Sequence, residues 1–384
     1  MATAVETERK RRISVVIPCL NEAATIAECV TRVRAVLEDG DLEGDVIVVD
    51  NGSVDGSGDI ATAAGATVVR EPRRGYGSAY LTGLQAAGGE YIVMVDADLT
   101  YDFGEIPAFV QELDAGAQLV VGNRMKGIQP GAMSRVSRVG NPILSGFLNM
   151  LYRTNAGDVH CGMRALRRDV LPVLDLRTTG MEFASEMVIR AARERLDVRE
   201  IPIELHPRVG ESKLAPFRDG WRHLRIILVY HPNFLFTLPG TLMIIAGTAI
   251  AVLVIAQVPV VGRDLQTHSL IGGSLLVILG VQAVSFGICA RAYNAYFVGG
   301  EDPFFDRARS RLRLEHGLVL AALLVAAGLA LMAMIFGTWA SRGFGELREE
   351  KLAIVAATVI AVGAQVFFTS FLLSILGLRW RSAS

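Results

Sequence analysis

Metal-type cysteine spacing is missing from this sequence. Its four cysteines, Cys19, Cys29, Cys161 and Cys289, are scattered, and two lie in apolar segments, which excludes a zinc module and points to free thiols in a reducing compartment. A charge excess is also missing: the formal net charge is -1, so no global electrostatic argument supports nucleic acid as a partner. The Gly75-Tyr-Gly77 turn lacks the third glycine of the dinucleotide fingerprint. Met1 to Arg12 is charged, and the run that follows, Ile13 to Leu20, is only a strand's length and carries Pro18. No cleaved signal peptide is expected there. From about Phe234 onward long apolar stretches dominate, with no Asp, Glu or Lys in their cores. Ion or solute conduction would need such groups inside the spans.

The first half alternates strand-like and helix-like segments. Ile13-Ser-Val-Val-Ile17, Asp45-Val-Ile-Val-Val49, Ala66-Thr-Val-Val69, Tyr91-Ile-Val-Met-Val95 and Gln118-Leu-Val-Val-Gly122 read as strands. Ala24 to Leu37, Asp55 to Ala64, Ser78 to Ala87, Pro142 to Tyr152 and Phe183 to Glu194 read as helices. The stretch Lys126 to Arg138, rich in Gly, Pro, Ser and cations, reads as a mobile loop. Strand–helix alternation implies a mostly parallel sheet covered on both faces, of Rossmann-like α/β class. Ligands of such sheets gather at the carboxyl ends of the strands, which here carry Pro18-Cys-Leu-Asn-Glu22, Asp50-Asn-Gly-Ser53 and Asp96-Ala-Asp98.

Asp96 and Asp98 put two carboxylates where a buried strand meets solvent. Mg²⁺ and Mn²⁺ take oxygen ligands and commonly share a few carboxylates with a substrate diphosphate, so a nucleotide-activated donor is the first expectation. Arg124, Arg135 and Arg138 offer planar donors for phosphate oxygens. Asp50 suits a base or ribose, or else a turn. Gly75 suits close backbone approach to a donor, or else marks the turn before the helix at Ser78.

Four apolar stretches, roughly 234–260, 269–290, 317–339 and 352–376, reach the ~20 residues a helix needs to span hydrocarbon. Arg307, Arg309, Arg311 and Arg313 between the second and third stretches, with Arg379 and Arg381 in the tail, place these segments and the N-terminal domain on the cytoplasmic side of the cell membrane by the positive-inside rule. The expected division is a catalytic domain over 1–212, an amphipathic juxtamembrane helix over 213–232, and an all-α domain of four spans over 233–384. In the juxtamembrane segment Lys213, Arg218, Arg222, His223 and Arg225 interleave with Leu214, Phe217, Trp221, Leu224, Ile226 and Ile227, the pattern of a helix lying among lipid headgroups.

Six motifs occur in order: Pro18-Cys-Leu-Asn-Glu22, Val49-Asp-Asn-Gly-Ser53 with Asp55-Gly56, Gly75-Tyr-Gly-Ser-Ala79, Asp96-Ala-Asp98 with Leu99, Gly122-Asn-Arg124, and Asp158 through Gly162-Met-Arg164. Together, over roughly residues 13 to 213, they resemble the inverting family 2 glycosyltransferases of the A-type fold, and within them the polyprenyl- or dolichyl-phosphate sugar synthases. The resemblance implies that Pro18, Asn21, Glu22, Asp50 and Gly75 line the nucleoside and donor side, with Asp96. It implies that Asp96 and Asp98 hold Mg²⁺ or Mn²⁺, and that Arg124 and Arg138 hold phosphates near the transfer site. Asp158 falls where such enzymes place an acidic residue near the acceptor, and Arg135, Arg208, Ser212 and Lys213 fall where they meet the acceptor phosphate or lipid headgroup. Two departures stand out: Asn51 replaces the common second aspartate of the nucleoside motif, and Thr100 stands where many lipid-phosphate enzymes have glutamine.

The reading is a membrane-bound inverting transferase moving a hexose, glucose or mannose, from a UDP- or GDP-sugar to a polyprenyl phosphate. A lipid phosphate is already an anion, whereas a lipid alcohol such as diacylglycerol would need Asp158 or Glu186 as a general base. Transfer to such an alcohol is the enzymatic alternative, an inactive nucleotide-sugar sensor is the alternative of another class, and a homo-oligomeric state stays open.

Overall fold

A computed structural model describes residues 12–209, 216–259, 265–298, 314–345 and 349–381. The chain divides into two compact units, Met1–Tyr230 and His231–Ser384.

The first unit is built on a seven-stranded sheet. Its strands are β1 (Ile13–Cys19), β2 (Gly44–Asp50), β3 (Thr67–Arg70), β4 (Tyr91–Met94), β5 (Leu119–Ile128), β6 (Arg164–Arg167) and β7 (Val198–Leu205). The order is β3-β2-β1-β4-β6-β5-β7. The β1–β2, β2–β3, β1–β4 and β5–β7 pairs are parallel, and β6 runs antiparallel to both β4 and β5. The sheet is therefore mostly parallel, as the alternation implied.

Helices α1 (Ile26–Asp39), α2 (Ser57–Ala63), α3 (Tyr76–Ala86), α4 (Ile106–Asp114), α5 (Arg135–Tyr152), the single turn α6 (Leu171–Leu174) and α7 (Phe183–Arg193) connect the strands. Side chains on both faces of β1 are buried, including Ile13, Val15, Val16 and Ile17, because helices cover both sides. In α1 the buried positions Ile26, Cys29, Val30, Val33 and Leu37 recur at helical spacing. The chain winds outward from β1 through β2 to β3 and then crosses back to β4 on the other side of β1. That reversal is the switch point at which open α/β sheets leave a crevice, and the loops after β1, β2 and β4 meet there.

One sequence expectation is corrected. Lys126 to Arg138 is not one loop: β5 continues through Ile128, pairing Gly127 with Glu204 and Ile128 with Leu205 after a register shift, and Arg135 begins α5 behind the N-cap Ser134. The stretch lacked a hydrophobic period because β5 here lies near the surface, and because Ser134 caps a helix whose outer face carries Arg135 and Arg138.

Helix α8 (Pro216–Val229) ends the unit. One face of it is packed: Ile227 joins Leu148, Ala156, Val159, Val188 and Ile189 in a second, small core, and the Tyr152 hydroxyl donates to the Ile227 carbonyl at 2.8 Å. Phe217 and Trp221 stay exposed.

The second unit contains four helices long and apolar enough to cross a membrane, Asn233–Ile255, Thr267–Tyr296, Leu314–Ser341 and Glu350–Gly377. Gln365 of the fourth span reaches the second: its Nε2 donates to Gln282 Oε1 at 3.1 Å and to the Ile278 carbonyl at 3.3 Å. The arginines 307–313 lie outside the described residues.

Candidate active site

The loops after β1 and β2 are laced to each other. Asn21, with a left-handed φ of 52°, accepts from the Val54 amide at 2.9 Å and donates its own amide to Ser53 Oγ at 3.0 Å. The Glu22 amide donates to Ser57 Oγ at 2.9 Å and the Ala23 amide to Asp55 at 3.0 Å. Pro18 lies opposite Val49, and Asp50 opposite Cys19, at the end of this ladder. One Asp50 oxygen accepts from the Ser53 amide at 2.8 Å, so part of its capacity closes a turn.

Asn51 does work that an aspartate there could not. Its Nδ2 donates to the carbonyls of Glu71 at 2.9 Å and Arg73 at 2.8 Å, and its Oδ1 accepts from the Gly75 amide at 2.7 Å. A carboxylate has no N–H to give. The side chain thus pins the segment that leads from β3 into α3. Gly75 and Gly77 pack on backbone: a Cβ on either would lie 2.2 Å from the carbonyl oxygen of Thr179 or Thr178. The close approach these glycines permit is to that segment, and α3 starts at Tyr76.

Asp96 and Asp98 follow β4 at the switch point. Asp96 Oδ1 accepts from the hydroxyls of Tyr76 at 3.1 Å and Tyr80 at 3.3 Å. Burial raises its carboxyl above the usual carboxylate range; the Asp98 charge pushes the same way, while the Tyr76 hydroxyl and Arg124 pull it back. Asp98 Oδ1 accepts from the Thr100 amide at 3.1 Å and hydroxyl at 2.6 Å. Its Oδ2 lies 3.3 Å from Arg208 Nη1, and Arg208 Nη2 donates to Glu22 Oε1 at 2.8 Å. One guanidinium therefore joins the loops after β1 and β4. The segment that follows β7 is tied across the same loop, because the His206 amide donates to the Thr100 carbonyl at 2.9 Å.

Arg124 and Asp158, read separately in the sequence, form one buried pair. Arg124 Nε donates to Asp158 Oδ2 at 2.6 Å and Nη2 to Oδ1 at 2.9 Å. Asp158 is fully buried and also accepts from the His160 amide at 3.3 Å. Glu200 Oε1 takes the Gly157 and Asp158 amides at 2.6 and 3.1 Å. Arg164, also buried, donates to the carbonyls of Val159, Cys161 and Ala184, which sets the shape of the loop. Gly162 lets that loop approach the carboxylates: a Cβ there would sit 2.3 Å from Asp96 Oδ2, and its amide donates to the Tyr101 hydroxyl at 2.8 Å.

Behind the loop, His160 and His223 of α8 meet edge to face with ring centroids 4.3 Å apart. His223 Nδ1 and Ser185 Oγ are 2.8 Å apart. Burial lowers His223 to about 4, against the pull of Asp219 and with the help of Arg164. Burial, then His223 and the two arginines, lowers His160 as well.

The structure thus brings together Pro18, Asn21, Glu22, Asp50, Asp96, Asp98 and Arg208 at one rim, with the Arg124–Asp158 pair behind the Gly162 loop. Arg135 and Arg138 are exposed on the first turn of α5 and make no ion pair among the described residues. Ser212 and Lys213 lie outside the described residues. Sequence reasoning passed over Tyr80 and Tyr101; it met Tyr76, His160 and Arg164 only as members of motifs and His223 only as part of the juxtamembrane segment, and gave none of them a role of its own. Only the glycines beside Tyr76 and Arg164 hinted at tight packing.

Residues 14–174 match glycosyl transferase family 2, and residues 288–377 match the glycosyltransferase family 2 C-terminal transmembrane region. The chain is 40% identical over 368 residues to the low-salt glycan biosynthesis hexosyltransferase Agl6 of Haloferax volcanii, covering 95% of this chain and 89% of that protein. It is 31% identical over 210 residues to a dolichyl-phosphate hexose transferase of the same organism, covering 54% of this chain and 89% of that one. Among solved structures, glucosyl-3-phosphoglycerate synthase from Mycobacterium tuberculosis with Mn²⁺, uridine diphosphate and glucosyl-3-phosphoglycerate aligns at a TM-score of 0.48 and 25% identity, over 58% of this chain and 80% of that one. The family matches and the hexosyltransferase relative define a glycosyltransferase carried by membrane helices. The chain belongs to glycosyl transferase family 2, and it is a multi-pass membrane protein.

Proposed function

We propose that this enzyme transfers a hexose, glucose or mannose, from a UDP- or GDP-sugar to a polyprenyl phosphate with inversion, on the cytoplasmic side of the cell membrane. The observation that carries the choice of acceptor is the state of the two candidate bases. Asp158 is buried and bidentate with Arg124. Glu186 is buried and accepts hydrogen bonds through both oxygens. Neither is free to take a proton from a lipid alcohol, which favours an acceptor that arrives as an anion. Similarity to a dolichyl-phosphate hexose transferase supports the same class.

A divalent cation fits the rim. Among the described residues no cluster of three or more His, Cys, Asp or Glu side chains forms a cage, but the oxygen-only pair Asp96 and Asp98 suits Mg²⁺ or Mn²⁺ that completes its shell from a substrate diphosphate. A cation would also offset the burial, and after it the Asp98 charge, that raise the Asp96 carboxyl. When bound, it would act as a Lewis acid on the departing diphosphate.

The chain's own residues do the rest. The loops after β1 and β2, with Pro18, Asn21, Glu22 and Asp50, seat the nucleoside, and Gly75 fixes the adjoining turn. Arg208, Arg135 and Arg138, with Ser212 and Lys213, attract the lipid phosphate, and the Arg124–Asp158 pair holds the transfer site in shape. A phosphate oxygen attacks the anomeric carbon as the bond to the nucleoside diphosphate breaks, whose oxygen keeps the electron pair. No proton moves, and in-line approach inverts the centre. Cytoplasmic placement follows from the arginines at 307–313 and in the tail.

The test is incorporation of label from a panel of UDP- and GDP-hexoses into short polyprenyl phosphate by the full chain. An acid-labile lipid product from one donor supports the reading. An acid-resistant alkyl glycoside made from endogenous lipid alcohol contradicts it.

A further inference from the structure

Glu186 is fully buried, sits away from the rim, and has its carboxylate divided between two partners. Its Oε2 accepts from the Arg177 amide at 3.0 Å, the Thr178 amide at 2.8 Å and the Thr178 hydroxyl at 2.7 Å. Its Oε1 accepts from the Tyr230 hydroxyl at 2.9 Å. The first set leads to the donor side of the site. The Thr178 and Thr179 carbonyls are the surfaces on which Gly77 and Gly75 pack, and the Ser78 amide donates to the Thr179 carbonyl at 3.1 Å. Between those glycines stands Tyr76, whose hydroxyl holds Asp96. Tyr80 holds the same oxygen and stacks on Phe183, one turn before Glu186 on α7, at 5.6 Å between centroids.

The second partner leads to the membrane anchor along the chain. Tyr230 closes the first unit, and the first span begins at Asn233. Its ring lies under the guanidinium groups of Arg190 and Arg193, 5.4 and 5.8 Å from the centroid, so both its face and its hydroxyl are fixed to α7.

The geometry points to Glu186 and Tyr230 as positioning residues that couple the membrane junction to the donor site. The position of Tyr230 fixes the Glu186 carboxylate, that carboxylate fixes residues 177–179, and residues 177–179 fix the glycine turn that aims Tyr76 at Asp96. Neither residue touches substrate. This rests on the donor site proposed above, so the experiment reads the relay both with and without a nucleotide-sugar.

The experiment uses the full chain in lipid nanodiscs, as wild type, Tyr230→Phe and Glu186→Gln. Tyr230→Phe removes one hydroxyl and leaves the ring in place beneath the arginines. Amide hydrogen exchange without ligand is expected to speed up at residues 75–79 and 176–180 in Tyr230→Phe, and further in Glu186→Gln, with the β1–β4 core unchanged. Affinity for the nucleotide-sugar, with its KM, is expected to weaken by about 2- to 10-fold in Tyr230→Phe, the worth of one hydrogen bond, with kcat changed less. Unchanged exchange at 75–79 in Tyr230→Phe overturns the relay, as does exchange that rises uniformly over the whole unit. If wild type binds none of the UDP- or GDP-hexoses, the donor assignment fails while the exchange result still decides the coupling.

Discussion

Replacing Gly162 with alanine tests whether the loop that carries it sets the position of Asp96. The added Cβ would stand 2.3 Å from Asp96 Oδ2, 3.0 Å from its Cγ and 2.9 Å from the Tyr101 hydroxyl. Ordinary contact needs roughly 3.5 Å, so the carboxylate or the loop has to move by about 1 Å. Neither moves freely, because Asp96 is held by two tyrosine hydroxyls and the loop by the three carbonyls that Arg164 engages. Crowding of this kind costs about 1–3 kcal/mol of stability, and a displacement near 1 Å at a reacting centre costs on the order of 10²-fold in rate. Gly146→Ala is the internal control, since a Cβ there meets nothing within 4 Å and alanine in a helix gains roughly 0.5–1 kcal/mol over glycine. Steady-state transfer kinetics and the melting temperature of both variants, measured together, decide the matter. Gly162→Ala with wild-type kcat/KM would refute the reasoning, because it would mean that Asp96 can shift without consequence.

Asn51→Asp, although it restores the residue common in the family's nucleoside motif, should destabilise the fold by about 1–3 kcal/mol, because the carbonyls of Glu71 and Arg73 lose their donors; denaturant unfolding and the donor KM check this. Stability should fall as pH drops from about 6.5, where the unfolded histidine begins to take a proton, down through about 4, where buried His223 finally does. The loss from this residue is at most about 3 kcal/mol, with His160 adding in the same direction. Melting temperature against pH, compared with His223→Gln, isolates it: an equally steep acid decline in the variant removes the histidine from the account.

Much of this was legible in the sequence where burial imposes a simple pattern. Strands β1, β2 and β4 are buried on both faces and read as largely apolar runs, with Asp50 closing β2 and Asp96 and Asp98 just past β4. The apolar spans were equally plain, because little else fills twenty residues without charge. Strands β6 and β7 were not legible. Arg164–Arg167 is four residues with an arginine at each end, and Val198–Leu205 contains Pro202 and three charged side chains, excluding nothing and suggesting no clear period. The Arg124–Asp158 pair joins residues 34 apart, a contact that no local pattern encodes. The role of Asn51 was visible only as a departure from an expected aspartate, until its three hydrogen bonds gave the reason.

The most direct test of the central claim, that Asp96 and Asp98 hold a cation against a nucleotide-sugar diphosphate, is titration calorimetry of UDP- and GDP-hexoses into the purified full chain, with Mn²⁺ and with chelator. Wild type should bind one donor in a Mn²⁺-dependent way, and Asp98→Ala should lose that dependence, with kcat lower by about 10²–10³-fold. Equal donor binding in chelator, or in Asp98→Ala with its Mn²⁺ dependence intact, would contradict it.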